Sequence, residues 1–328
     1  MLTTWLTDRF DLQVPVIGAP MAGPGEGSLA AAVSRAGGLG MIGVSGARDP
    51  DWIRGQGELA AAAGKPFGFG LMGWVLASRP EQLDAALACR PALVSVSFGR
   101  TGEGDGYDDV ARLLAAVREA GVAVTTQVGT LAEAQRAAAA GVDLLVARGG
   151  EGGGHGRDEV ATLPLLQEVL DRVPVPTVAA GGIAGPRGLA AVLAAGAEGA
   201  WVGTALLGCT EAGGSAAAKR ALFAGRDTST AYGRVFDVAQ RLDWPPEFGG
   251  RALRNRFFDT WSERLDELAG DDEAAAQLAR ARADQDLETA YVYAGQGVGL
   301  LAEERSAADV LADFATAEKL LRRFAPPR

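Results

Sequence analysis

The chain has 328 residues, 48% apolar and 22% charged, which is enough for one sizeable core plus a smaller lobe and too apolar for a disordered chain. Its 31 basic residues stand against 41 acidic ones, a formal charge of −10, with no basic stripe of the kind a nucleic-acid binder carries. Two cysteines, Cys89 and Cys209, cannot build a disulfide framework or a thiolate metal cluster, and read as buried, reduced thiols.

The start, Met1-Leu2-Thr3-Thr4-Trp5, lacks the basic region and apolar run of a signal peptide. No uncharged apolar stretch reaches the roughly 18 residues of a membrane span. The expectation is a soluble, cytoplasmic protein with neither membrane nor nucleic acid as partner.

From residue 14 to 206 one pattern returns. A short run rich in Val, Ile, Leu, Phe or Ala ends in glycine or a small polar residue, and an Ala/Leu/Glu/Arg stretch of helical character follows. The runs 14–18, 39–43, 66–71, 93–98, 123–128, 143–148, 175–180 and 200–205 give eight predicted strands, starting 20 to 32 residues apart. That spacing holds a strand, a crossover helix and two loops. Helices are predicted over 28–37, 50–63, 80–89, 107–120, 130–140, 160–172 and 186–195. Asp49-Pro50, Arg79-Pro80 and Gly185-Pro186 place proline near a first turn, while Gly37, Gly121, Gly141 and Gly196 mark helix ends.

Eight β/α units can close into a barrel or lie open as a doubly wound sheet. Even spacing, and glycine-rich loops after several different strands, favour closure. The expected fold is α/β, a (β/α)8 TIM barrel over residues 1–208. Beyond it the rhythm stops. Segment 225–260, with Asp243, Trp244, Pro245, Pro246 and Phe248, reads as loop and short helix, and 261–290 as charged helix. Residues 301–324 read as one amphipathic helix with Leu311, Phe314, Leu320, Leu321 and Phe324 on its apolar side. A smaller, mostly helical lobe over 209–298, inserted after the eighth strand, should therefore cover the site, and 299–328 should return to the barrel.

Barrels of this kind carry their sites at the C-terminal strand ends. In order, these are Ala19-Pro20-Met21, Gly43, Gly70-Leu71-Met72, Ser97-Phe98, Gln127, Arg148, Ala180-Gly181-Gly182 and Gly203-Thr204. The amides of Gly182 and Gly203 with the Thr204 hydroxyl can form a phosphate cradle; the alternative is tight closure that needs small residues. His155, the sole histidine, lies in Arg148-Gly149-Gly150-Glu151-Gly152-Gly153-Gly154-His155-Gly156-Arg157. No large apolar residue stands beside it in sequence, so its burial would have to come from a ligand. Its neutral imidazole can accept a proton near pH 7. The alternative is an incidental surface histidine. A single histidine excludes a His-His metal site, and no metal is expected. Arg148 would place a fixed positive charge in the barrel mouth. Glu151 and Arg157 could pair to fix the loop, or orient a substrate.

The strings Gly149 to Gly156, Ala180-Gly181-Gly182-Ile183 and Gly199-Ala200-Trp201-Val202-Gly203-Thr204 occur here in order, with Ala19-Pro20-Met21-Ala22 before them and Ala294 to Gly299 after. Together they resemble the nitronate monooxygenase family, formerly called 2-nitropropane dioxygenases, from about residue 10 to 324. The resemblance implies an FMN-containing barrel with a partly helical second domain over the flavin. It implies the phosphate at Gly181, Gly182, Gly203 and Thr204, the isoalloxazine near Ala19, Pro20 and Met21, and Gln296 and Gly297 in a late flavin-side segment. Gly70, Gln127, Arg148, Gly153 and Gly154 complete the candidate cofactor residues. His155 matches the family's catalytic histidine.

The implied reaction uses a small-molecule substrate and oxygen. His155 takes the α-proton of a nitroalkane, or the nitronate binds directly; the anion gives an electron to FMN, and oxygen completes conversion to a carbonyl compound and nitrite. Two positions depart from the family. Glutamine is usual at Arg148 and asparagine is frequent at Gly70, so a charge should move toward the flavin and a ring contact should be lost. The competing expectation is an NAD(P)H-dependent quinone or enoyl-thioester reductase on the same flavin barrel. A Schiff-base aldolase would need a lysine at a strand end, and Lys65, Lys219 and Lys319 fall elsewhere. Monomer and homodimer are both compatible with the sequence.

Overall fold

The computed structural model describes residues 2–99 and 107–323. Its strands are β1 (Val16–Gly18), β2 (Gly40–Gly43), β3 (Phe67–Met72), β4 (Leu93–Ser97), β5 (Ala123–Val128), β6 (Leu144–Arg148), β7 (Gly154–Gly156), β8 (Thr177–Ala180), β9 (Gly199–Val202), β10 (Thr230–Gly233) and β11 (Gly249–Leu253). Eight of them form one parallel sheet in the order β1-β9-β8-β6-β5-β4-β3-β2. The two edges meet where Gly18 N–H donates to the Leu39 carbonyl at 2.9 Å and Leu39 N–H to the Val16 carbonyl at 3.0 Å. The barrel is closed, as the eight-unit rhythm predicts.

Alternation along each strand separates two cores. Ile17, Met41, Leu93, Leu144, Val146 and Trp201 point inward and fill the barrel. Val94, Val124, Leu145 and Ala179 point outward onto the helices. In β3 the aromatic residues Phe67 and Phe69 face the helices, while Gly68 and Gly70 face in. A Cβ at Gly70 would stand 2.3 Å from Pro20 Cγ, so the chain after β1 rests directly on the β3 backbone. At the opposite end, helix Trp5–Phe10, which the pattern does not announce, inserts Leu6 and Phe10 into the inner core. Thr4 caps it, and Trp5 N–H donates to the Glu198 carboxylate at 2.7 Å just before β9.

The lobe is more than helix. Helices Val235–Gln240, Arg256–Trp261, Leu265–Ala269 and Asp272–Asp284 share a core built on Phe236, Phe257, Phe258 and Leu278. Beside them runs an antiparallel sheet of order β10-β11-β7, in which β7 belongs to the barrel loop that follows β6. Glycine dominates β7 and opens β11, and its low strand propensity hides both from a sequence reading. The C-terminal helix is two pieces, Ala307–Ala315 and Ala317–Arg322. At the break the Thr316 hydroxyl donates to the Asp313 carbonyl at 2.7 Å, a local bond that competes with helix continuation. Leu311, Phe314, Leu320 and Leu321 pack on the outer barrel core, and Phe324 lies outside the described residues.

Cys209 is buried and Cys89 partly so, both unpaired; burial pushes the Cys209 thiol up to about 12. Among the described residues no helix is long and apolar enough to cross a membrane.

Candidate active site

One side of the barrel mouth is made of backbone. β8 runs into Gly181 (φ 111°) and Gly182 (φ 69°), and β9 into Gly203. The left-handed turn at Gly182 is open: a Cβ there would meet only Glu151 carbons, at 3.5 and 3.9 Å. Among the described residues the Gly182 and Gly203 amides donate to no acceptor. Thr204 Oγ1 accepts the Gly295 N–H at 2.9 Å, which leaves its own proton to donate. These groups suit an anion.

The neighbouring candidates converge on the same side. Gln296 N–H donates to the Glu151 carbonyl at 2.9 Å, and Gly297 and Gly153 pack tightly on the Gly182 carbonyl and the Gly295 amide. Ala19 N–H donates to the Val202 carbonyl at 2.8 Å, and Met21 Sδ lies over Gly203. Pro20 covers Gly70, and Gly154 (φ 69°) faces open space. Gln127 stands apart on β5, its amide on Ser97 Oγ at 3.0 Å. Below it on the same strand, Thr125 Oγ1 is buried without a partner among the described residues.

The other side is made of side chains from the lobe. His155 pairs with Gly250 in the β7–β11 register. Its Nε2 lies 2.9 Å from Asp237 Oδ1, and its ring stacks on Trp244 at 3.7 Å with 1° between planes. Tyr293 closes a further face at 5.2 Å. A Cβ at Gly250 would stand 2.7 Å from the Tyr293 ring, so only glycine lets the two rings meet there. The His155 side chain is 10% exposed. Contrary to the expectation that a ligand must bury it, the lobe does so with residues 82 to 138 positions away.

The aromatic wall continues from Trp244 to Trp74 (5.4 Å) and Phe98 (5.2 Å), and from Phe98 to Phe248 (5.3 Å). Phe98 sits at φ 63°, a costly conformation for a bulky residue, held where β4 ends at the mouth. Trp74 Nε1 is buried with no hydrogen-bond partner among the described residues. Burial, reinforced by the Asp237 carboxylate, raises the Tyr293 hydroxyl well above the usual phenol range.

Two buried arginines hold the loop between these walls. Arg148 does not project a free charge into the mouth. Its guanidinium donates to the carbonyls of Gly152 (2.6 Å), Gly153 (3.3 Å), Gly154 (3.0 Å) and Arg157 (3.0 Å), and burial lowers its pKa to about 10. A strand-end position carries no mark of which way a long side chain folds. From the lobe, Arg251 donates to the Gly150 carbonyl at 2.7 Å and to Asp158 at 2.6 Å. The Tyr232 hydroxyl donates to the Gly156 carbonyl and accepts the Gly249 amide, both at 2.9 Å.

The suggested Glu151–Arg157 pair does not form. Glu151 accepts the Thr162 amide at 2.8 Å and its hydroxyl at 2.5 Å, whereas Arg157 pairs with Glu133 (2.5 Å) and Glu159 (3.2 Å). Asp237 and Tyr293 were not singled out by the sequence. Trp244 and Phe248 stood out only as loop composition. Among the described residues no group of three or more His, Cys, Asp or Glu side chains is placed to hold a metal ion.

The sequence profile of nitronate monooxygenase matches residues 3–97 and 76–316. A nitronate monooxygenase from Pseudomonas aeruginosa is 33% identical over 93% of this chain and 97% of its own length. Against a further relative from Mycobacterium tuberculosis, 38% identical, the chain spans about half of that protein, 52%. Among solved structures, FabK from Thermotoga maritima superposes with a TM-score of 0.83 at 28% identity, covering 99% of this chain and all of that one. Nitroalkane oxidase from Streptomyces ansochromogenes gives 0.77 at 29% identity, over 96% and 99%.

Proposed function

The chain belongs to the nitronate monooxygenase family and is a flavin-dependent oxidoreductase, and from that premise we propose that it oxidises alkyl nitronates with oxygen, using FMN, to a carbonyl compound and nitrite. The observation that carries this reading is the pairing of the two walls. A histidine clamped by Asp237 and Trp244 shares one barrel mouth with a backbone cradle suited to a phosphate.

The residues fit FMN. The unpartnered Gly182 and Gly203 amides and the free Thr204 proton would hold its phosphate. Ala19, Pro20 and Met21 would flank the ring, with Gly153, Gly154, Gln296 and Gly297 beside it and Gln127 across the mouth. When bound, FMN would supply the electron acceptor for the nitronate and the place where oxygen reacts.

This chain's own side chains do the rest. His155 would remove the α-proton of a neutral nitroalkane, work that a nitronate does not need. Trp74, Phe98, Trp244 and Phe248 would exclude water from the reacting centre. Trp74 Nε1–H, a buried donor without an acceptor, is suited to an oxygen of the nitro group. Arg148, spent on loop carbonyls, would hold His155 in register and act on the flavin only at a distance.

Anaerobic mixing of the flavin-loaded protein with ethylnitronate, and separately with NADH and NADPH, tests the reading. Fast bleaching by the nitronate and none by the nucleotides is expected. Fast bleaching by a nucleotide, with the nitronate inert, would replace it with the reductase alternative.

A further inference from the structure

We propose that Asp237 is a positioning residue that fixes the proton of His155 on Nε2, so that Nδ1 is the nitrogen that accepts the substrate proton. This rests on His155 being the base of the proposed reaction. An ionised carboxylate can only accept hydrogen bonds, and a neutral imidazole carries one N–H. With Nε2 at 2.9 Å from Asp237 Oδ1, that N–H must sit on Nε2 and the lone pair on Nδ1.

The surroundings enforce the choice. The Asp237 side chain is 2% exposed, and among the described residues its carboxylate has no hydrogen-bond donor other than His155. A buried carboxylate with a single donor holds that donor tightly, because losing it leaves a desolvated charge. Its helix, Val235–Gln240, is anchored through buried Val235, Phe236 and Ala239, so the oxygen has little freedom to move. Trp244 and Tyr293 limit the ring in turn. Turning the ring over would present a carbon to the carboxylate where Nε2 now stands.

The lobe therefore supplies more than a cover. It selects which nitrogen faces the chemistry, by an acid 82 residues away in sequence. The arrangement parallels the general logic of a base oriented by a carboxylate.

The test uses the flavin-loaded full chain with 15N-labelled histidine. The protein has one histidine, so every imidazole signal is His155. A ring N–H protected from exchange and correlated with Nε2 is expected in the wild type. In Asp237→Asn, which keeps the shape and removes the charge, that signal should move upfield, and in Asp237→Ala it should vanish into exchange with water. The ratio of nitroalkane to nitronate turnover should fall by about 10- to 100-fold in Asp237→Ala, the scale of loss when the carboxylate that orients a metal-bound histidine is removed. A proton found on Nδ1, or a signal and ratio unchanged in Asp237→Asn, would overturn the assignment. The ring proton decides the matter independently of turnover. A protein with the Nε2–H signal that consumes neither nitronate nor nitroalkane would refute the functional reading and leave the Asp237 assignment standing.

Discussion

The two walls of the barrel mouth are built from different material. On the β8–β9 side the presentation of polar groups falls to backbone amides at Gly182 and Gly203, set by turns that follow directly from the strands carrying them. On the lobe side it falls to side chains, Asp237, Trp244 and Tyr293, brought to His155 by an antiparallel sheet that borrows its third strand from a barrel loop. The first wall is local and survives as long as the barrel folds. The second depends on docking two regions far apart in sequence. On the proposed reading, a cofactor held by the first wall and a base presented by the second should be separable by mutation.

The largest expected effect on stability is at the hinge of that comparison. Arg148→Met strands four carbonyls that a buried guanidinium now satisfies, and should cost about 3 kcal/mol or more. Urea unfolding would measure it, and proteolysis should show the loss concentrated in the 149–157 loop. A variant as stable as the parent would mean that the loop is not held from the barrel. Gly182→Val probes the other wall. It places a β-branched residue at φ 69°, at a cost of roughly 1–3 kcal/mol, and closes the cradle. Flavin content after purification should drop, and full retention would break the assignment of this wall to cofactor binding.

Smaller effects sharpen the docking side. Tyr232→Phe removes a hydroxyl that bridges Gly156 and Gly249, and should cost about 1 kcal/mol in the same unfolding experiment. Alkaline pH acts on the same interface. Burial raises the hydroxyls of Tyr232, Tyr291 and Tyr293, so the folded state holds these protons more tightly than the unfolded state. Their contribution is complete below about pH 10 and is lost as pH climbs through the raised folded values. Tyrosinate absorbance should lag the ordinary phenol curve and rise together with unfolding. Three phenols ionising near pH 10 in a still-folded protein would contradict this.

The difference between the walls also sets what the sequence could tell. Strand rhythm, glycine-terminated helices and the double glycine after β8 are short-range features, and the barrel and the glycine turns at its mouth follow from them. Helix Trp5–Phe10 and the antiparallel sheet escape notice because one is short and the other is rich in glycine. His155 stands out as the sole histidine in a glycine-rich loop, yet its neighbours do not, because nothing near residue 155 points to 237, 244 or 293. Arg148 illustrates the same limit: its place at a strand end was legible, and the folding of its side chain back onto the loop carbonyls was not.

The most direct test of this division of labour is His155→Ala, with bound flavin and turnover measured on the same preparation. Flavin should remain at the parent's level while nitroalkane turnover falls by about 10²–10⁴-fold, the usual worth of a general base, and nitronate turnover falls far less. Loss of the flavin, or nitroalkane turnover that survives the substitution, would show that the two walls do not divide the work in this way.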